Sequence, residues 1–322
     1  LVLIPALRRT GFRWEWRFRA MPNEKGRMKE ASTLVGWVLG YVVASQIGVS
    51  VILKVALNLG HGPYTEFTNA DLLFQVPYGV LGVSLLTGLM PRMSRAAARG
   101  EHSAVISDLA LGSRLSALGL LPITAGLIAL GPSFTLVIFQ GRTTQAEARL
   151  IGTSLAFAAF GLLPFALVML QLRVFYAMRD ARTPTLINIA MVATKVVLVV
   201  ISSQVLHGDA AVEALNVSTS LSYVVGAVAG HYLLSKRFGR LGFRPVVLMA
   251  GRVAAAAAAG GAAAYLVVLG AHQVIGTGRT AAAAALVVGA AFGLAVFVGV
   301  ASRLDIPELQ QLTEAIRRRR AG

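Results

Sequence analysis

The chain has 322 residues, 56% of them hydrophobic and only 14% charged, with 33 glycines and a mean hydropathy of +0.70. A soluble domain carries about a quarter charged residues, and this surplus of apolar surface cannot be hidden in one water-soluble core. The composition excludes an ordinary soluble enzyme and a disordered tail; the lack of cysteine excludes a disulfide scaffold, a thiolate metal site and a cysteine nucleophile.

Runs long enough to cross a bilayer, about 20 mostly apolar residues each, lie at 34–58, 68–91, 113–139, 150–172, 184–206, 213–235, 246–270 and 280–302. Backbone in hydrocarbon must satisfy its own hydrogen bonds, so eight transmembrane helices are predicted. Ahead of them, Leu1-Val2-Leu3-Ile4-Pro5 reads as the last turn of an earlier helix, and residues 1–30 as its end plus a basic cytoplasmic linker. The stretch is too short for a signal peptide and puts apolar before basic. The chain is therefore expected to be the later part of a longer protein.

The first span carries Gln46, Lys54 and the Gly36/Gly40 spacing. Lys54 lies about a turn from the outer end, where its ammonium can snorkel to water. The second opens near Asp71, placed where a helix dipole favours a carboxylate or where it guards the outer mouth of a cavity. Gln75, Pro77 and Gly79 follow. Pro122 in the third span and Pro164 in the fourth join Pro77 as predicted kinks, because a mid-helix proline deletes a backbone hydrogen bond and collides with the preceding turn. Transporters use such points as bends between conformations. Gln171 and Asn188 fit either cavity lining or interhelical hydrogen bonds.

Lys195 is the strongest candidate. It lies 11 residues after Pro184, roughly 16 Å into the fifth span at 1.5 Å per residue. No acid shares its span or the sixth, so it reads as an unpaired cation lining a cavity for an anionic headgroup. Gly226/Gly230 and Gly289/Gly293 offer close helix approach, and the alanine-rich seventh span is expected to pack tightly. The tail, 303–322, ends in the Arg317–Arg320 run, which can sit on anionic headgroups.

Twenty-five of the 30 Lys and Arg residues fall on one side of these spans, three (Arg142, Arg149, Arg279) on the other, and two, Lys54 and Lys195, inside. The positive-inside rule then puts both ends in the cytoplasm. The net charge of +16 is orientation rather than a nucleic-acid footprint, since no basic cluster is interleaved with stacking aromatics. No span holds paired carboxylates or a His-x-x-x-His. The outer turns offer only the separated Glu66, Glu147, Asp209 and Glu213. A catalytic residue, a metal and a cofactor are all unexpected, and a membrane glycosyltransferase lacks its carboxylate cluster.

Three motifs in order suggest a family. Phe74-Gln75-Val76-Pro77-Tyr78-Gly79-Val80-Leu81-Gly82, running to Leu89-Met90-Pro91-Arg92-Met93-Ser94, resembles the F-x-x-P-x-G-x-x-G … L-x-P-x-x-S stretch of the MurJ/MviN lipid II flippases. Phe175-Tyr176-Ala177-Met178-Arg179-Asp180-Ala181-Arg182-Thr183-Pro184 looks like that family's F-Y-A/S-x-x-D-x-K/R-T-P loop, and Ile138-Phe139-Gln140-Gly141 like its outer turn. The arginine-rich leader is similar to actinobacterial members.

The resemblance implies an all-α polytopic membrane protein. It would be the C-terminal lobe of a MATE-like, two-lobe transporter of the multidrug/oligosaccharidyl-lipid/polysaccharide exporter superfamily. Residues 31–240 would form that six-helix lobe and 241–302 two additional helices. The implied activity is alternating-access flipping of lipid II, the undecaprenyl-pyrophosphate-linked wall precursor, in the plasma membrane. Partners would be lipid II, membrane lipids and an N-terminal lobe not in this sequence. Pro77, Gly79, Gly82, Pro164, Asp180, Thr183 and Pro184 would be hinge or motif residues; Lys195, Asp71, Gln75 and Lys54 would face the substrate cavity. Family members often have an arginine directly after the aspartate, where this chain has Leu72. Members with a cation site use acidic and amide groups where this chain has Ile52, Lys195 and Val199, so the ammonium would fill comparable space. The alternatives are another exporter of the superfamily, for drugs or polysaccharide lipids, and a non-transporting scaffold that recruits division or wall-synthesis proteins.

Overall fold

A computed structural model describes residues 25–304 and Ile306, apart from positions 61, 140, 240 and 277. The Leu1–Pro5 turn, most of the basic leader, Gln140 and the Arg317–Arg320 run lie outside the described residues. The described chain is helical throughout: α1 (Lys25–Asn58), α2 (Pro63–Ala98), α3 (His102–Ile138), α4 (Gln145–Ala158), a 3-10 turn (Ala159–Gly161), α5 (Leu162–Ala177), α6 (Arg182–Val205), α7 (Asp209–Phe238), α8 (Arg244–Ile275) and α9 (Arg279–Arg303). Seven segments are long and apolar enough to cross a membrane, α4 and α5 together making one of them. The two halves of α2, Pro63–Gly82 and Thr87–Ala98, meet at 62° and make an eighth span if taken as one.

Local chemistry sets the boundaries. Pro63 starts α2, where a missing N–H is harmless. Thr144 and Glu147 form a reciprocal capping box at the start of α4. Gly208 and Gly239 flank α7 with φ of 61° and 78°, a region open to glycine at no steric penalty.

The predicted kinks divide. The 3-10 turn ends three residues before Pro164, and the carbonyl four residues before a proline is the one its ring displaces. That kink stands. Pro77 and Pro122 lie within helices that run through them, and the bend of α2 falls after Gly82. The bend at Gly82–Thr87 is therefore not centred on the proline of the motif.

Helix α3 is the hub. It packs against α2, α4, α5, α8 and α9, while α6 bridges α1 to α7. A buried cluster of Met93, Val105, Leu109, Val174, Phe175, Ile187 and Leu234 ties α2, α3, α5, α6 and α7 together. A second cluster, Leu118, Met249, Val253, Ala256, Phe297 and Ala301, fixes α8 and α9 to α3.

Small residues create the closest approaches. A side chain on Gly293 would meet the Gly260 carbonyl oxygen at 2.8 Å, and one on Gly161 would meet Ser220 of α7. Gly226 and Gly230 are covered by Met191 and Gln171, whereas Gly36 faces open space. Of the three glycine spacings, the later two are packing seams, and Gly36/Gly40 is close only at Gly40, beside Thr185.

Candidate functional site

Helix α1 is held to α6 by polar bonds across an apolar seam. The Thr185 hydroxyl donates to the Trp37 carbonyl at 2.8 Å, and the Asn188 amide donates to the Tyr41 carbonyl and the Ser45 hydroxyl, each at 3.0 Å. Gln171 donates to the Ala227 carbonyl at 3.2 Å. Asn188 and Gln171 are thus interhelical ties rather than cavity lining.

Farther along that seam a small cavity of about 100 Å³ opens between four helices. Val49 and Ile52 of α1, Tyr64, Phe67 and Asp71 of α2, Lys195 of α6, and Thr219 and Tyr223 of α7 line it. Lys195 is therefore not isolated. Asp71, from a helix distant in sequence, shares its cavity and acts on it electrostatically. No ion pair closer than 4.0 Å joins the two; Asp71 instead accepts a 2.7 Å hydrogen bond from Gln75 one turn on. The lysine stem runs beside Gly48 of α1, whose missing side chain leaves it room.

Two sequence expectations change here. Asp71 is eight residues inside α2, which begins at Pro63, too far from the terminus for the helix dipole to hold it. Lys195 has a facing carboxylate, so the unpaired-cation reading is replaced by a separated charge pair. Lys54 does not line this cavity: with Gln46 it lies on an exposed strip of α1 beside Val43, Ile47 and Ser50.

Tyr223 of the cavity lining belongs to an aromatic cluster. The Phe165 ring centre lies 4.7 Å from those of Tyr78, met edge-on, and Tyr223, met at a tilt, and Phe74 lies 6.0 Å from Tyr223 in a near-parallel pair. Gly82 of the motif sits directly under the Tyr78 ring. Tyr64, Phe67, Asp71, Phe74 and Tyr78 recur at heptad spacing, one stripe of a helix; Tyr64 and Phe67 are the members that neither the charge pattern nor the motifs single out.

The Asp180 loop is built for structure. Asp180 accepts from the Thr183 N–H at 3.0 Å and its hydroxyl at 2.8 Å, and forms a 2.9 Å ion pair with Arg237 at the end of α7. Arg179 takes φ of 59°, reversing the chain, and Pro184 follows within the first turn of α6. A second ion pair, Arg92–Asp108 at 2.9 Å, joins α2 to α3 through a buried carboxylate that sequence reading passed over. Among the described residues no group of three His, Asp or Glu side chains is arranged to hold a metal.

Helices of membrane length, broken spans and a charge pair between them define a multi-pass helical membrane protein. The family follows from comparison: the model of the lipid II flippase MurJ family matches residues 1–278, and the chain belongs to that family. It is 25% identical over 187 residues to a probable lipid II flippase MurJ of Vibrio cholerae, covering 58% of this chain and 34% of that one. To the lipid II flippase MurJ of Burkholderia cenocepacia it is 27% identical over 151 residues, covering 47% and 29%. The chain thus spans about a third of the length of these relatives. A solved lipid II flippase MurJ in an inward closed conformation superposes with a TM-score of 0.61 at 16% identity, over 81% of this chain and 51% of that one. That likeness shows the fold.

Proposed function

We propose that the protein containing this chain moves lipid II from the inner to the outer leaflet of the plasma membrane by alternating access, as a transporter without chemistry on its substrate. The family match over residues 1–278 carries the reading. In this proposal both ends of the chain are cytoplasmic, as the asymmetric Lys/Arg distribution requires, and the described helices form one lobe facing another.

Within that lobe, Asp71 and Lys195 act as an electrostatic tie between the α1–α6 pair and the α2–α7 wall. Charges facing each other at membrane depth hold helices together strongly while remaining separable. In this reading they belong to the moving wall of the transport machinery rather than to the seat of the headgroup, which a cavity of only about 100 Å³ supports. The experiment is complementation. Bacteria depleted of their own flippase should grow with the full-length wild type. They should fail with Lys195→Glu, which sets two carboxylates face to face, at equal membrane abundance. Growth with Lys195→Glu at the wild-type rate would remove the tie from the mechanism, and failure of the wild type itself would remove the flippase reading.

A further inference from the structure

At the other end of the α1–α6 pair lies a cavity of about 450 Å³, lined by Lys29, Thr33, Leu34 and Trp37 of α1 and by Arg179, Asp180 and Arg182 at the start of α6. Three cations converge on it. Its one described carboxylate, Asp180, is already engaged by Thr183 and Arg237. Among the described residues none forms an ion pair with Lys29, Arg179 or Arg182. The Arg182 guanidinium is held over the Trp37 ring, 5.6 Å from its centre, which orients the fork while leaving its N–H donors free for an anion.

What lies next to this basic mouth selects the ligand. Along α1, Lys29 is followed on the same stripe by Thr33, Gly36, Gly40, Val43 and Ile47; along α6, Arg182 is followed by Leu186 and Ile189. Val43, Ile47, Leu186 and Ile189 are all exposed, and no side chain fills the space over Gly36. The basic mouth thus continues into exposed apolar stripes on both helices. Tryptophan belongs at the level where headgroup meets acyl chain. A free phosphate would use the cations and leave these stripes bare.

We propose that Lys29, Arg179 and Arg182, with Trp37, bind the headgroup phosphate of an anionic glycerophospholipid whose acyl chain lies along the exposed apolar stripes of α1 and α6. Naming the cytoplasmic leaflet rests on the orientation proposed above; the binding itself does not.

The test uses the full-length protein in nanodiscs and the fluorescence of Trp37, isolated as the component lost in Trp37→Phe. Brominated phosphatidylglycerol should half-quench that component at a mole fraction about fivefold or more below that of brominated phosphatidylcholine. The preference should vanish in Lys29→Gln/Arg179→Gln/Arg182→Gln and persist in Arg182→Lys, which keeps the charge and shows that the substituted site still folds. Equal quenching by the two lipids overturns the proposal, as does a preference that survives in the triple variant. Relief of quenching by unlabelled undecaprenyl diphosphate at a matching mole fraction would assign the cations to a diphosphate carrier instead; relief by inorganic phosphate would assign them to a soluble ion. Because quenching is read without transport and on either side of the disc, the flippase and orientation readings can fail without touching it.

Discussion

Lys195 and Asp71 share a cavity yet are not in contact, which makes their interaction measurable. Removing one member leaves a half-buried charge without its counter-charge, whereas removing both leaves none. Asp71→Asn and Lys195→Ala should each lower the melting temperature of the detergent-solubilised protein, and the double variant should lose less than the two losses combined. The coupling is expected at about 0.5–3 kcal/mol. Strict additivity would mean that the charges do not sense each other. Asp180 permits a cleaner division. Asp180→Asn keeps an Oδ1 acceptor for the Thr183 N–H but gives up the Oδ2 that accepts from the Thr183 hydroxyl and pairs with the half-exposed Arg237, the ion pair being a loss of under about 1 kcal/mol. Asp180→Ala removes the bond to the Thr183 N–H as well and should lose about 0.5–1.5 kcal/mol more. Equal melting temperatures for the two variants would show that this bond contributes nothing.

The broken span of α4 and α5 depends on a close helix contact. Gly161 lies against Ser220, whose hydroxyl donates to the Ala158 carbonyl at 2.7 Å, just before the 3-10 turn. Gly161→Val should push α7 away and destabilise by about 1–3 kcal/mol, while Gly36→Val, over open space, should leave the melting temperature unchanged. An equal loss at both positions would contradict this packing. Much of this level was legible beforehand: the helices were visible as apolar runs, and the break at Pro164 followed from its missing N–H. The bend of α2 was not, because Pro77 drew attention while the change of direction falls at Gly82–Thr87. Nor was the partner of Lys195 visible. Asp71 lies 124 positions earlier, and only the packing of α2 against α1 and α7, which both hold α6, brings the two together; charge alone cannot show which distant helices meet.

At the level of the whole molecule, three motifs carry the family and the charge asymmetry carries the proposed orientation, and both concern a chain that spans about a third of its relatives. These 322 residues hold no cysteine, so orientation is testable in the full-length protein once any cysteine elsewhere in it has been replaced. With Arg142→Cys between α3 and α4 and Arg99→Cys between α2 and α3, both exposed positions, an impermeant maleimide added to intact cells should label the first and spare the second; the reverse pattern would invert the topology. The flippase claim is tested most directly by measuring lipid II at the outer leaflet of cells whose only flippase is the full-length protein, through its cleavage by an impermeant lipid II-degrading enzyme. The account predicts cleavable lipid II with the wild type and little with Lys195→Glu. An intact, uncleaved pool in cells that hold wild-type protein in the membrane would contradict it.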